Sequence, residues 1–411
     1  MTTRLISVDS HVQIDPQQIK NNLASKYHTI WDEAIATEHA RHMEELGGVD
    51  PRVLAAGFSH EAITNPGYHD PVQRLVAMDR DQVEAEVLYS EVSAFRHYGY
   101  MADGWREASE AFNRVLFDFA SVDHSRLFPA YQVPLLDIDY AVAQVQGLAA
   151  RGARAVHIPT FPSEVGLPEY HDERYAPLWA AISDADMSIS QHLGLVQSLY
   201  ELLRRDPTPQ KAIFTSQPVF RLAETIGFWI LTGVLARFPK LKIVLVEPSL
   251  GWVPFYLDQL DKMAAGAYDF PGLDEKPSFY FRRQMYLTFM NDPGGLSLRH
   301  QLGIGSDHVV HRLPPSGHDL AELSDRRRGE LRRHPRRRAR PHRRRQCRSP
   351  LRDLSGETHQ LRIPKATPLG VSDRRFVMLL SRRSRVQCDG SDGGRASVSA
   401  SSMHRVTHRR M

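Results

Sequence analysis

The chain has 411 residues, with 52 Lys and Arg against 48 Asp and Glu for a formal net charge of +4, and only two cysteines, which excludes a disulfide-stapled fold. That small net charge joins two unlike chains: residues 308–411 carry 25 Arg and one Lys against nine acidic groups (+17), whereas residues 1–307 carry 26 basic and 39 acidic groups (−13). Of the 17 Phe, 14 Tyr and 5 Trp, only Phe376 lies beyond residue 307, so that part has little apolar area to offset the entropy of ordering it and is expected to be disordered.

In chain order, the opening "MTTRLISVDSH" has no apolar signal core, and Cys347 and Cys388 are isolated thiols in the basic part. Both features point to a reducing, cytoplasmic compartment. Eight short apolar runs follow as strand candidates: Leu5 to Asp9, Ala85 to Tyr89, Leu127 to Val133, Ala153 to Ile158, Met187 to His192, Leu241 to Glu247, Met285 to Phe289 and Leu302 to Asp307. Near-continuous apolar runs suit parallel strands covered on both faces. Pro16 to Asp70 reads as an insertion after the first strand, a partly helical lid or dimer element.

Between the strands the spacing turns helical. Trp105, Ala108, Phe112, Val115, Leu116 and Phe119 recur at three- and four-residue intervals, as do Tyr140, Val142, Val145, Leu148 and Ala149 before a stop at Gly152. The most apolar run, Thr225 to Ala236, is bounded by Glu224 and Arg237 and falls well short of the roughly 20 residues of a membrane span. It is expected to be a core helix, and no membrane partner is expected. Strand and helix alternating eight times predicts a (β/α)8 barrel, with a doubly wound sheet as the alternative.

In such a barrel chemistry sits at the C-terminal strand ends. The first strand ends "VDSH", which sets Asp9 and His11 two residues apart on one face. The fifth ends at His192, the sixth at Glu247 and the eighth at Asp307. Singly, His192 reads as a structural histidine and Asp307 as a turn former; together at one end of a barrel, carboxylate and imidazole suit one divalent ion, Zn or Mn. Arg96 in "AFRHYG" could pair with a substrate carboxylate, against the plainer reading of a solvated loop arginine. His157 in "AVHIP" could line the pocket or be a buried, hydrogen-bonded histidine.

The segments "SVDSHV", "NRVLFDFASVDHSRLFPAYQVPLLDIDYAVAQV", "HDERYAPLWAAISDADMSISQHLG", "GVLARFPKLKIVLVEPSLGWVPFYLDQLD" and "LGIGSD" resemble the amidohydrolase-related metalloenzymes, in the branch similar to aminocarboxymuconate semialdehyde decarboxylase. The resemblance spans about Leu5 to Asp307. It implies an amidohydrolase-type TIM barrel, one divalent metal, and decarboxylation or hydrolysis of a small carboxylated or cyclic substrate. By that match Asp9 and His11 fall on the first-strand metal pair, with a carboxylate in place of the more usual histidine. His192 falls on the fifth-strand ligand, and Asp307 on the eighth-strand aspartate that is both ligand and proton-transfer group. Where many members carry a histidine after the sixth strand this chain has Glu247, which could shuttle a proton or simply hold a backbone turn.

The resemblance stops one residue after Asp307, where family members continue into a loop and a last helix. Residues 1–307 are therefore expected to be the barrel, with 16–70 as its insertion, and 308–411 an Arg-rich tail in place of the proper last helix. Many Arg with one Lys is what out-of-frame reading of a GC-rich gene produces. A native arm gripping nucleic acid through phosphates is the competing reading, disfavoured because the tail lacks stacking aromatics. Functionally, the expectation is a metal-dependent hydrolase or carboxy-lyase with a small-molecule substrate, functioning as a homodimer. The alternative is a catalytically impaired scaffold with a basic interaction tail.

Overall fold

Eight parallel strands, β1 (Leu5–His11), β2 (Val83–Tyr89), β3 (Leu127–Gln132), β4 (Ala155–His157), β5 (Ser188–His192), β6 (Lys242–Val246), β7 (Met285–Phe289) and β8 (Val309–His311), pair in sequence order and close into a barrel. The computed structural model describes residues 5–311 apart from 51–64, 91–93, 195–196, 267, 269, 271, 290–291 and 304–308. Pairing of Ser7 with His311 joins β1 to β8, so the sheet is a barrel and not an open doubly wound sheet.

Seven strands lie where the apolar runs predict them, within about two residues at each end. Of the eighth run, Leu302 to Asp307, residues 304–307 lie outside the described residues, while Gln301–Gly303 form a turn in which Gly303 takes φ +72 and Leu302 is buried. Pairing with β7 falls to Val309, Val310 and His311, opposite Leu287, Thr288 and Phe289. Two β-branched residues in succession suit a strand. Asp307 lies outside the described residues, as does the Arg-rich segment from residue 312 on.

Alternation along each strand sorts its side chains. Tyr89, Ala130, Ala155 and Val246 pack together as a small cluster with Val87 and Val244, while Leu88, Val156, Ile189, Ile243, Leu245 and Leu287 join the larger core with the surrounding helices. That outer core takes the heaviest side chains: Tyr170 stacks on Trp229 with centroids 5.1 Å apart, and Trp179 meets Trp229 edge-on at 5.2 Å. Trp229 Nε1 donates to Gln191 Oε1 at 2.6 Å, so a polar residue of β5 that points away from His192 is satisfied by the helix covering it. The helices expected from spacing are Trp105–Ala120 and Ile138–Ala150. Thr225 to Ala236 is indeed core helix, divided between Pro218–Leu231 and Val234–Arg237 by Gly233 at φ +76.

The insertion is partly helical, as expected. Pro16–Asn21 starts with a capping box between Asp15 and Gln18, and His28–Leu46 ends at Gly47 in the left-handed region, φ +56. The longer helix is tied to the segments that follow β2 and β5. Tyr100 Oη donates to Glu38 Oε2 at 3.1 Å, Tyr200 Oη meets His42 Nδ1 at 2.9 Å, and Leu46 packs with Leu199, Tyr200, Leu203 and Phe214 as a separate apolar cluster.

Candidate metal centre and active site

β1 delivers Asp9 and His11 through an irregular register. Ser7 is opposite Glu86 and Ser10 opposite Leu88, so three steps along β1 match two along β2, and the surplus residue falls beside Asp9. Such bulges re-aim side chains at functional sites. Ser7 Oγ and Ser10 Oγ close the irregularity at 2.8 Å. Asp9 is fully buried, and its Oδ1 lies 3.5 Å from both His11 Nε2 and His192 Nε2. The two Nε2 atoms are 3.2 Å apart.

Glu247 completes the group. One ligand atom from each of Asp9, His11, His192 and Glu247 falls within 4.8 Å of every other. β6 ends at Val246, and Glu247 enters a turn at φ +68, with Ser249 at φ +59. A non-glycine residue in that region is held there only when its surroundings insist. Here Glu247 N donates to Thr288 Oγ1 at 2.7 Å, and Leu250 N and Gly251 N donate to Asp292 Oδ2 at 2.7 and 2.8 Å.

The donor set fits a divalent cation. Ligands at about 2.0–2.1 Å around a tetrahedral ion stand roughly 3.3–3.4 Å apart, close to the 3.2 and 3.5 Å separations among Asp9, His11 and His192. His192 Nδ1 shares a 2.8 Å hydrogen bond with the Leu193 carbonyl, which fixes the proton on Nδ1 and presents the Nε2 lone pair to its neighbours. Burial works against the charged form of His192, but the Asp9 hydrogen bond, the charges of Glu247 and Asp9, and the Leu193 carbonyl together raise its pKa. Carboxylates that draw a proton onto an imidazole draw a metal ion for the same reason.

On the β2 and β4 side the mouth is aromatic and neutral. His157 is buried, Phe95 meets its ring at 5.1 Å and Tyr89 at 5.9 Å, and Tyr89 also meets His192 at 5.4 Å. Burial first, then the neighbouring His192 and His11, push the His157 imidazole down to about 3. His157 Nδ1 is buried with no hydrogen-bond partner among the described residues.

Four residues singled out in the sequence, Asp9, His11, His192 and Glu247, thus converge, with His157 beside them; Asp307 falls outside the described residues. Arg96 is no solvated loop residue: it lies in the helix Ala94–Tyr100, next to Phe95, with its Nε 3.8 Å from Glu38 Oε1 of the insertion and its Nη1 buried without a hydrogen-bond partner among the described residues. Sequence reading passed over Tyr89 and Thr288. Both sit at or next to strand ends in otherwise apolar runs, and a polar residue there was the available signal.

A sequence profile of the amidohydrolase family matches residues 8–296. No curated protein matches. Among solved structures, an amidohydrolase from Mycobacterium avium subsp. paratuberculosis K-10 is similar, with a TM-score of 0.61 at 19% identity over 80% of this chain and 95% of that one. 5-Carboxyvanillate decarboxylase from Sphingomonas paucimobilis gives a TM-score of 0.57 at 20% identity, over 79% of this chain and 93% of that one. A dihydroxybenzoic acid decarboxylase from Polaromonas sp. JS666, with bound manganese and the inhibitor 2-nitroresorcinol, gives 0.54 at 16% identity, over 79% and 90%. At such identities the structural likeness is one of fold. The profile match covers most of the chain, from within β1 to beyond β7, and the chain belongs to the amidohydrolase family.

Proposed function

We propose that the chain is a metal-dependent carboxy-lyase acting on a small, flat, carboxylated substrate, with hydrolysis of a cyclic substrate as the second reading. The observation that carries the proposal is the convergence of Asp9, His11, His192 and Glu247 at one end of the barrel. Asp9, His11 and His192 would hold the ion, Zn or Mn, with Asp307 as the further ligand that the family resemblance implies. When bound, a divalent ion supplies Lewis acidity toward a substrate oxygen or a water.

The chain's own residues supply the rest. Tyr89, Phe95 and neutral His157 form a wall suited to a planar ring, which favours a cyclic acid as substrate. Arg96 is assigned to the substrate carboxylate, its buried Nη1 being a donor with no partner among the described residues. In the lyase reaction the bond between ring carbon and carboxylate breaks, CO2 departs without the bonding pair, and the carbon takes a proton carried by Glu247 or Asp307. In the hydrolase reading the same carboxylates take a proton from water, and the family match favours keeping it.

The same reading makes the insertion 16–70 a lid or the homodimer contact, and the location cytoplasmic. No helix among the described residues is long and apolar enough to cross a membrane. The reading also treats 312–411, the part of 308–411 that follows β8, as a tail outside the barrel. A test of the function is to purify the full chain, measure bound divalent metal, and assay CO2 release from hydroxybenzoates carrying an ortho carboxylate. Stoichiometric metal with CO2 release is expected. A chain that takes up no divalent metal would leave the impaired scaffold as the better account.

A further inference from the structure

We infer that Thr288, at the penultimate position of β7, is a positioning residue that ties the Asp9 carboxylate to the Glu247 turn and decides which Asp9 oxygen faces the ion. The inference rests on the proposed metal site and adds to it a residue outside the ligand set.

Thr288 is fully buried inside the barrel mouth. Its hydroxyl makes two contacts of opposite sense: it accepts from Glu247 N at 2.7 Å and donates to Asp9 Oδ2 at 3.3 Å. A threonine hydroxyl has one proton to give. Because the Glu247 N–H occupies a lone pair, the proton is free to point at Asp9, and it can do so only toward an oxygen that accepts. Oδ2 is thereby engaged by Thr288, while Oδ1 stands 3.5 Å from both His11 Nε2 and His192 Nε2. The carboxylate is oriented to offer one oxygen to the imidazole pair and the other to β7.

The second contact works on Glu247. A glutamate at φ +68 sits in a region that costs a non-glycine residue energy, and an N–H with a buried partner is what keeps it there. Thr288 is the acceptor for the turn's first residue, and Asp292 accepts from Leu250 N and Gly251 N three and four residues later. One hydroxyl therefore sets the position of a first-strand ligand and of the sixth-strand acid together. A polar partner behind a ligand typically changes metal affinity by about 10–100-fold when it is removed.

Thr288→Val keeps the shape and deletes the hydroxyl; Thr288→Ser keeps the hydroxyl and deletes the methyl. The experiment measures Mn and Zn affinity of the full chain by competition with a chromophoric chelator, alongside the thermal midpoint of metal-free protein. The expected result is a roughly 10–100-fold loss of affinity in Thr288→Val and recovery to within about threefold of wild type in Thr288→Ser. A purely structural threonine would behave differently: Thr288→Val would bind as wild type does, or Thr288→Ser would be as weak as Thr288→Val. Either outcome overturns the inference while leaving the metal site standing. If Thr288→Val does not fold, Thr288→Ala carries the same expectation against Thr288→Ser, and wild-type affinity in Thr288→Ala overturns it. Wild-type protein that binds neither metal removes the metal-site reading and this inference with it.

Discussion

His192 and His157 are both buried, stand on adjacent strands, and share Tyr89 as an aromatic neighbour, yet their imidazoles are pushed in opposite directions. For each, burial is the largest single influence and disfavours the charged form. At His192 the carboxylates of Asp9 and Glu247 overturn it and the pKa rises. At His157 the nearby ionisable groups are the two other imidazoles, which add to the effect of burial and bring it to about 3. One half of the barrel mouth is therefore built to hold positive charge and the other to stay neutral. A barrel separates the two roles by strand: the anionic groups arrive on β1 and just after β6, and among the described residues none is seen against His157 on the side of β2 and β4.

The strongest way to break this comparison is to remove the charged half's imidazole. His192→Ala should lose nearly all bound divalent metal and all turnover, because the remaining ligands lack the fixed geometry that makes the site bind. Full metal occupancy in that variant would sink the proposed centre. A milder change keeps the shape and removes only the charge. Glu247→Gln should retain metal, with turnover falling by about 10²-fold or more, the usual scale of general acid-base catalysis; an unchanged rate would reduce Glu247 to a turn residue.

The neutral half gives the smallest effect and the most specific sign. His157 has a folded-state pKa of about 3 against an ordinary 6.5, so between those values the unfolded chain binds a proton that the folded chain refuses. Its contribution to stability is full above pH 6.5 and is lost as the pH falls toward 3. Metal-free His157→Asn should therefore lose less stability than wild type over the same acid range, read as the difference in denaturation midpoints at matched pH. If the two proteins lose stability in parallel, His157 does not stay neutral in the folded state.

Much of this was legible in the sequence, for reasons that differ from residue to residue. Asp9 and His11 were readable because a strand's period of two puts them on one face, and His192 because it closes a short strand. Glu247 was readable as a strand-end acid; its left-handed backbone was not, since that depends on Thr288 and Asp292, some forty residues away, accepting the turn's N–H groups. Arg96 looked like a loop arginine because the partner that holds it, Glu38, belongs to an insertion whose docking onto the barrel no local pattern announces.

β8 shows the limit most plainly. "LGIGSD" has the composition of a buried strand, but whether a segment becomes the eighth strand depends on which residues can bridge β7 and β1 at once. Local composition and period determined that this chain would form parallel strands covered by helices, and which strand ends would carry acid and imidazole, because those properties follow from apolar runs and side-chain alternation within a few residues. The closure of the barrel, the register that turns Asp9 toward two histidines, and the opposite behaviour of two buried imidazoles were decided only by tertiary structure. Each is set by distances between groups far apart in the chain, and hydrogen bonding and electrostatics act on those distances.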